Sequence, residues 1–261
     1  MNMYFGFLKT KQVYQGELKS ACVPVLNCHS CPSAFFSCPI GTMQHFMTIH
    51  KIPYLLLGYL TAIGIAVGAL ACGWLCPFGL LQDLLYKIKS IKIRLPEKLA
   101  VSRYLILFLL VILFPLVTQE TWFSKVCPIG TIQAAIPWVL WNPVIPVYGE
   151  PAVSVQTLGF LFVIKILIAA LFITFFVLAK RPFCRLVCPL GAIFGLFNKH
   201  SLLQLDVDTK KCKDCQKCRD ICPVDINISD NPGNSTCVRC FGCLKCDSVK
   251  VRLGKKNASN G

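Results

Sequence analysis

Acidic residues are scarce in this chain. Only 12 Asp and Glu stand among 261 residues, against 27 Lys and Arg, and charged residues of both signs make up 15%. A soluble domain of this length carries roughly 25% charged residues, so an ordinary soluble globular chain is disfavoured. Other signals are missing too. There is no P-loop and no G-x-G-x-x-G, which leaves nucleotide chemistry without a motif. There is no C-x-x-C-H, so haem attachment is not indicated. The first 50 residues hold no continuous apolar core of the signal-peptide kind. Cysteine, by contrast, is abundant, with 17 copies in a chain that is 55% hydrophobic. The cysteine-rich class is usually a short secreted chain stapled by disulfides, and this chain is too long and too apolar for it. A membrane protein, a metal-cluster protein, or both, remains.

Three stretches read as membrane spans, each set against about 20 apolar residues for a bilayer core about 30 Å thick. They are 52–71, which has no charge; 104–118, extendable to 122, where Pro115 predicts a kink; and 157–179, whose one charge is Lys165. Residues 129–147, broken by Pro137, Pro143 and Pro146, read as a re-entrant or interfacial segment. Lys87, Lys89, Lys92, Arg94, Lys98 and Arg103 follow the first span, and Lys180, Arg181, Arg185 and Lys199 follow the third. The positive-inside rule therefore places 77–103 and the C-terminal part in the cytoplasm, and 119–156 and the first 50 residues outside. Lys9, Lys11 and Lys19 sit in that first segment with nothing visible to export it, so either a further helix is expected upstream or the N-terminus lies differently. The net charge of +15 becomes an orientation marker, for which anionic lipid and acidic redox partners suffice, and nucleic acid is not expected. The domains expected are 1–50, a Cys-rich extracytoplasmic segment; 51–200, the membrane domain; and 201–261, a polar, cysteine-dense cytoplasmic unit ending in a disordered 255–261.

The run Cys212-x2-Cys215-x2-Cys218-x3-Cys222-Pro223 has the bacterial ferredoxin spacing, in which three thiolates wrap one cubane and the fourth reaches the other. A second run, Cys237-x2-Cys240-x2-Cys243-x2-Cys246, departs from pattern in its last gap and in having Asp247 in place of proline. One [4Fe–4S] cluster is expected on Cys212, Cys215, Cys218 and Cys246, and a second on Cys237, Cys240, Cys243 and Cys222. Zinc is the alternative for paired CxxC motifs, but it has no need of the third Cys at the same spacing.

The other cysteines carry an internal repeat: Cys38-Pro-Ile-Gly, Cys76-Pro-Phe-Gly, Cys127-Pro-Ile-Gly and Cys188-Pro-Leu-Gly, with Cys72 and Cys184 four residues ahead of the second and fourth. Proline after cysteine suits the first turn of a helix, glycine admits a bulky group close to the backbone, and cysteines at i and i+4 share a helix face. Topology puts Cys72, Cys76, Cys184 and Cys188 at the cytoplasmic ends of the first and third spans. Cys28, Cys31, Cys38 and Cys127 fall outside. Each set numbers four, the complement of a [4Fe–4S] cluster, and Cys22 is spare. Disulfides are the rival for the outer set. A core about 30 Å thick is too wide for one efficient electron hop, so two membrane clusters must sit inward of their helix ends or be bridged by a quinone. Lys165, as an intramembrane charge, offsets a cluster or binds a quinone head group, unless it snorkels. His50, like His45 near the outer end of the first span, is a candidate proton acceptor from quinol.

The paired C-x3-C-P motifs, the C-terminal two-cluster ferredoxin run and the stretch LKSACVPVLNCHSCPSAFFSCPIGTMQHF resemble the NapH/NosR/CcoG group of membrane polyferredoxins. The resemblance implies an α-helical protein of a prokaryotic cytoplasmic membrane, multi-pass, with a C-terminal α+β 2[4Fe–4S] ferredoxin-like domain in the cytoplasm. It implies an electron-transfer subunit, or a quinol dehydrogenase component, moving electrons between a cytoplasmic or quinol donor and an extracytoplasmic acceptor in anaerobic respiration. The alternative is a maturation factor that reduces a metal or thiol for another protein. Partners would be redox proteins, the bilayer and quinol.

Overall fold

A computed structural model describes residues 4–6, 14, 16–141, 159–208, 211–212 and 215–254. Expectations resting on Lys9, Lys11, Pro143, Pro146, Glu150, Thr157 and residues 255–261 lie outside the described residues. The described chain is mostly helical and divides into two compact units, 1–56 with 108–175, and 57–107 with 176–261. The chain passes from one unit to the other three times, each time inside an apolar helix.

All four Cys-Pro-x-Gly repeats start helices, at Pro39, Pro77, Pro128 and Pro189. The physics is local. The ring of a proline drives the preceding residue into extended backbone, and Cys38, Cys76, Cys127 and Cys188 all have ψ between 109° and 127°. Proline then occupies the first helical position, where its missing N–H costs nothing.

In the first unit, Pro39–Thr48 and the short apolar helix Pro128–Leu140 lie beside Trp122–Val126. The segment expected to be re-entrant is this short helix, with a π-helical stretch at Thr131–Ala135 just ahead of Pro137. The same device recurs in Glu97–Thr118, where π-helical Leu107–Leu113 precedes Pro115. A proline has no N–H for the carbonyl four residues back and its ring crowds that carbonyl; widening the preceding turn relieves both.

Among the described residues two helices are long and apolar enough to cross a membrane, Glu97–Thr118 with 22 residues and Phe160–Leu178 with 19. Only 22% and 11% of their most apolar stretches are buried within the fold, so neither is wrapped by protein as a soluble core helix would be. The second expected span is thus longer than 104–118. The first is shorter than expected. In place of 52–71 there is a 14-residue helix, Tyr54–Val67, about 21 Å long at 1.5 Å per residue. Gly68 ends it by turning left-handed, with φ of 59°. The side chain of Asn198 accepts from the Ala69 amide at 3.1 Å and lies where a Cβ on Gly68 would stand. One turn earlier the Phe197 ring packs directly on Gly64.

In the second unit the tail folds around a two-stranded antiparallel sheet, β1 (Leu203–Val207) and β2 (Val249–Leu253), with Leu205 opposite Val251. Leu205, Val224, Ile226, Ile228, Val238 and Val249 form its apolar core.

Candidate metal centres

The structure gathers cysteines into groups within each unit. In the first, Cys28, Cys38 and Cys127 line one cavity of about 640 Å³, together with His29 and Lys165. Cys38 and Cys127 are presented identically, since Thr42 and Thr131 each donate a hydroxyl back to the cysteine carbonyl, at 3.1 and 3.3 Å. Cys28 is held by its amide, which donates to Gln133 Oε1 at 2.9 Å. Gly130 lines the same cavity, where a Cβ would stand in ordinary contact with Cys28 Sγ at 3.9 Å. Cys31 is buried but does not line the cavity; its Sγ pairs with Ser33 Oγ at 3.2 Å. Lys165 does line the cavity. His50 does not; it occupies an exposed turn after Pro39–Thr48 with φ of 53°. The histidine on the cavity is His29, a residue the sequence reading passed over because nothing but its place between Cys28 and Cys31 marks it.

In the second unit Cys72, Cys76, Cys184 and Cys188 are all close enough to interact electrostatically. The expected shared helix face is absent. Cys72 and Cys184 belong to the short helices Leu70–Trp74 and Pro182–Leu186, which stop before the next Cys-Pro pair. The proline that begins a new helix forces the break. The thiolates come together instead across the bend, and Cys188 Sγ accepts from the Gly191 amide at 3.2 Å.

Cys222, Cys237, Cys240 and Cys243 face one small cavity under β1, with Cys218 beside them. Cys218 and Cys246 pack on the same core, while Cys215 is exposed. Cys72 also packs on this core. Gly73 approaches the tail so closely that a Cβ there would meet the Val238 carbonyl at 2.3 Å, and Trp74 Nε1 donates to the Arg239 carbonyl at 3.3 Å. The second and third groups are therefore direct neighbours. Cys22 does not line the cavity, but it is close enough to Cys38 to interact electrostatically, and its Sγ lies 3.4 Å from Thr42 Oγ1.

Burial pushes these thiols up, with help from the neighbouring sulfurs: Cys28, Cys127 and Cys237 to about 12, and Cys184 and Cys243 to about 11. Such thiols become thiolates only against a bound cation. Cys246 goes the other way, held below its ordinary value by hydrogen bonds from Ser248. All 17 cysteines are free thiols. Among the described residues no three Cys, His, Asp or Glu side chains converge as the ligands of one ion would. A cubane takes four thiolates spread around its core, and all-sulfur sets on buried bends fit it. The second unit also supplies compensating charge. Arg103, Arg181, Arg185 and Arg239 are all buried, and Arg181 interacts with both Cys184 and Cys240. Its Nε donates to Asp83 Oδ1 at 2.7 Å.

The class these sites define is a polyferredoxin, a chain that seats several iron–sulfur clusters on cysteine. The sequence profile of the 4Fe-4S binding domain family matches residues 50–96, 103–142 and 160–206, just over half the chain. The chain belongs to that family, as a polyferredoxin of the NapH/NosR type. It is 28% identical to the uncharacterized protein MJ0750 of Methanocaldococcus jannaschii, over 81% of this chain and 83% of that one. It is 24% identical to the ferredoxin-type protein NapH of Haemophilus influenzae, over 95% of this chain and 81% of that one. With the regulatory protein NosR of Pseudomonas aeruginosa the identity is 29%, over 67% of this chain but only 22% of NosR. No solved structure matches.

Proposed function

We propose that this chain is a membrane-bound electron-transfer protein seating four [4Fe–4S] clusters. Two are held in the tail, by Cys212, Cys215, Cys218 and Cys246 and by Cys222, Cys237, Cys240 and Cys243. One is held by Cys72, Cys76, Cys184 and Cys188, and one by Cys38, Cys127, Cys28 and Cys31. Clusters of this kind supply one-electron transfer without moving a proton. The observation that carries the reading is the packing of Cys72 on the core that also carries Cys222, Cys237, Cys240 and Cys243. It makes two cysteine groups neighbours in one unit, as consecutive stations of a wire require. The ferredoxin-type names of relatives such as NapH and MauN agree with it.

The chain's own residues supply the surroundings. Buried arginines offset negative charge in the second unit, and Lys165 lines the cavity of the first. The cavity of about 640 Å³ also has room beside the cysteines for a quinol head group, with Lys165 to orient it. By the positive-inside rule the basic segment 87–103 and the tail face the cytoplasm. The donor is then a cytoplasmic redox protein or quinol, and the acceptor an extracytoplasmic one. The domain division follows the same lines: 1–50 outside, 51–200 in the membrane, 201–261 inside.

Two measurements test this. Iron and sulfide analysis of the anaerobically purified full chain should give about 16 iron atoms, four per cluster; about eight would remove the clusters outside the tail. In sealed liposomes with the tail outward, external dithionite should reduce a trapped internal acceptor. A trapped acceptor that stays oxidised overturns the wire, and leaves reduction of a metal or thiol for a partner protein as the surviving role.

A further inference from the structure

Six residues after its cysteine, three of the four Cys-Pro-x-Gly repeats carry glutamine: Gln44, Gln82 and Gln133. Gln44 and Gln82 are fully buried. Burying a primary amide without partners is costly, so their contacts carry information. Gln44 Nε2 donates to Ile40 O in its own helix at 3.4 Å and across to Ser124 Oγ at 3.0 Å, while its Oε1 accepts from the Ser124 amide at 3.4 Å. Gln82 does the same in the other unit. Its Nε2 donates to Phe78 O at 3.3 Å and across to Cys184 Sγ at 3.2 Å, and its Oε1 accepts from the Phe183 amide at 3.2 Å. Gln133 completes the set in the first unit by accepting from the Cys28 amide. In each case the glutamine spans from its own repeat to a chain segment that carries a cysteine of the same group. The residues it reaches correspond as well. Phe123-Ser124 stands four and three residues before Cys127, and Phe183-Cys184 five and four before Cys188, one position out of register. Both phenylalanines are buried. Where the second unit has a cysteine sulfur, the first has a serine hydroxyl. The fourth repeat has Phe194 at the glutamine position, so the second unit is clamped from one side only.

We infer that the glutamine of an extended Cys-Pro-x-Gly-x-x-Gln motif is a positioning residue for both membrane-domain cluster sites, and that Gln82 also sets the reduction potential of its site by donating an N–H to Cys184 Sγ. The inference rests on the reading that Cys72, Cys76, Cys184 and Cys188 hold a cluster. A hydrogen bond to a ligand sulfur withdraws electron density and favours the reduced state, and such bonds are among the factors that set cluster potentials. The first-unit site gets no such bond from Gln44, whose amide goes to Ser124.

The test is a redox titration of the full chain followed by electron paramagnetic resonance, with iron quantified. Gln82→Met is neutral and similar in length, but it can neither donate to Cys184 nor accept from Phe183. The expected result is a lower potential for the Cys72/Cys76/Cys184/Cys188 cluster, with the tail clusters unmoved. Gln44→Met should leave that potential unchanged and disturb only the first-unit site. Gln204→Met, whose side-chain amide donates to Lys199 O rather than to a cysteine, is the control. A second measurement needs no variant. Protein labelled with ¹⁵N in glutamine side chains should show a changed nitrogen coupling in the pulsed spectrum of that cluster when reduced. An unchanged potential in Gln82→Met, or a pulsed spectrum that ignores the label, overturns the inference. A wild-type chain whose iron content is unaffected by Cys184→Ala overturns the underlying cluster assignment instead, so the two failures are distinguishable.

Discussion

The two units solve one problem in different ways. Each sets two Cys-Pro-x-Gly helix starts against each other and ties them with buried glutamine. In the first unit the ties run both ways, Gln44 to Ser124 and Gln133 to Cys28; Cys28, Cys38 and Cys127 line a roomy cavity that Lys165 also lines, and Lys19 acts electrostatically on Cys28 and Cys31. In the second the tie runs one way, from Gln82, and four buried arginines with Asn198 fill the surroundings. The local motif thus presents thiolates, while the surroundings decide how much charge and how much space they have. A roomy cavity suits exchange with something outside. A filled site among fixed arginines suits passing electrons to the tail it touches.

The comparison can be broken most decisively at the cysteines. Cys188→Ser in the second unit and Cys127→Ser in the first should each remove one cluster, about four irons per chain, leaving the other sites loaded; loss of both membrane-domain clusters from either change would show that the units are not independent seats. Next comes charge. Arg181→Leu strips the partner from Asp83, whose side chain is 35% exposed, so part of the usual cost of breaking a buried pair is screened. A loss of about 2 kcal/mol is expected, read as earlier bleaching of cluster absorbance in a denaturant series. Asn198→Ala should cost about as much, on the order of 2 kcal/mol, because the Ala69 amide and the Cys237 carbonyl both lose their partner. Its effect should fall on the tail cluster of Cys237 and spare the first unit. The smallest effect is expected for Lys165→Met. It should lower the potential of the first-unit cluster alone, by removing a nearby positive charge; equal shifts in both units, or none, would show that the lysine head lies away from the cavity.

Much of this was legible in the sequence. The proline after each cysteine dictates extended backbone before it and a helix after it, and all four repeats behave so. The apolar length of 157–179 and the spacing of the tail cysteines were equally plain. Other features were not. The stretch 52–71 has the composition of a span, yet its helix stops at Gly68, because Asn198, 130 positions later, satisfies the Ala69 amide. Lys165 and His50 were both candidates for contact with a quinol, but of the two only Lys165 lines the cavity. His29 went unnoticed between two cysteines. The glutamines could have been found, since CPIGTMQ and CPIGTIQ differ at one position and Gln82 holds the same place, but a buried amide gives no hint from its own segment of what it will bond.

By itself, then, the sequence determined the helix starts, the thiol content and the apolar lengths, because each depends on neighbours a few residues away. Only the tertiary structure decided what the glutamines bond, where the first helix ends, which residues line the first cavity, and that Cys72 leans on the tail. Those contacts join residues dozens to more than a hundred positions apart, and their partners are selected by packing and by the need to satisfy buried polar groups, which no local pattern records.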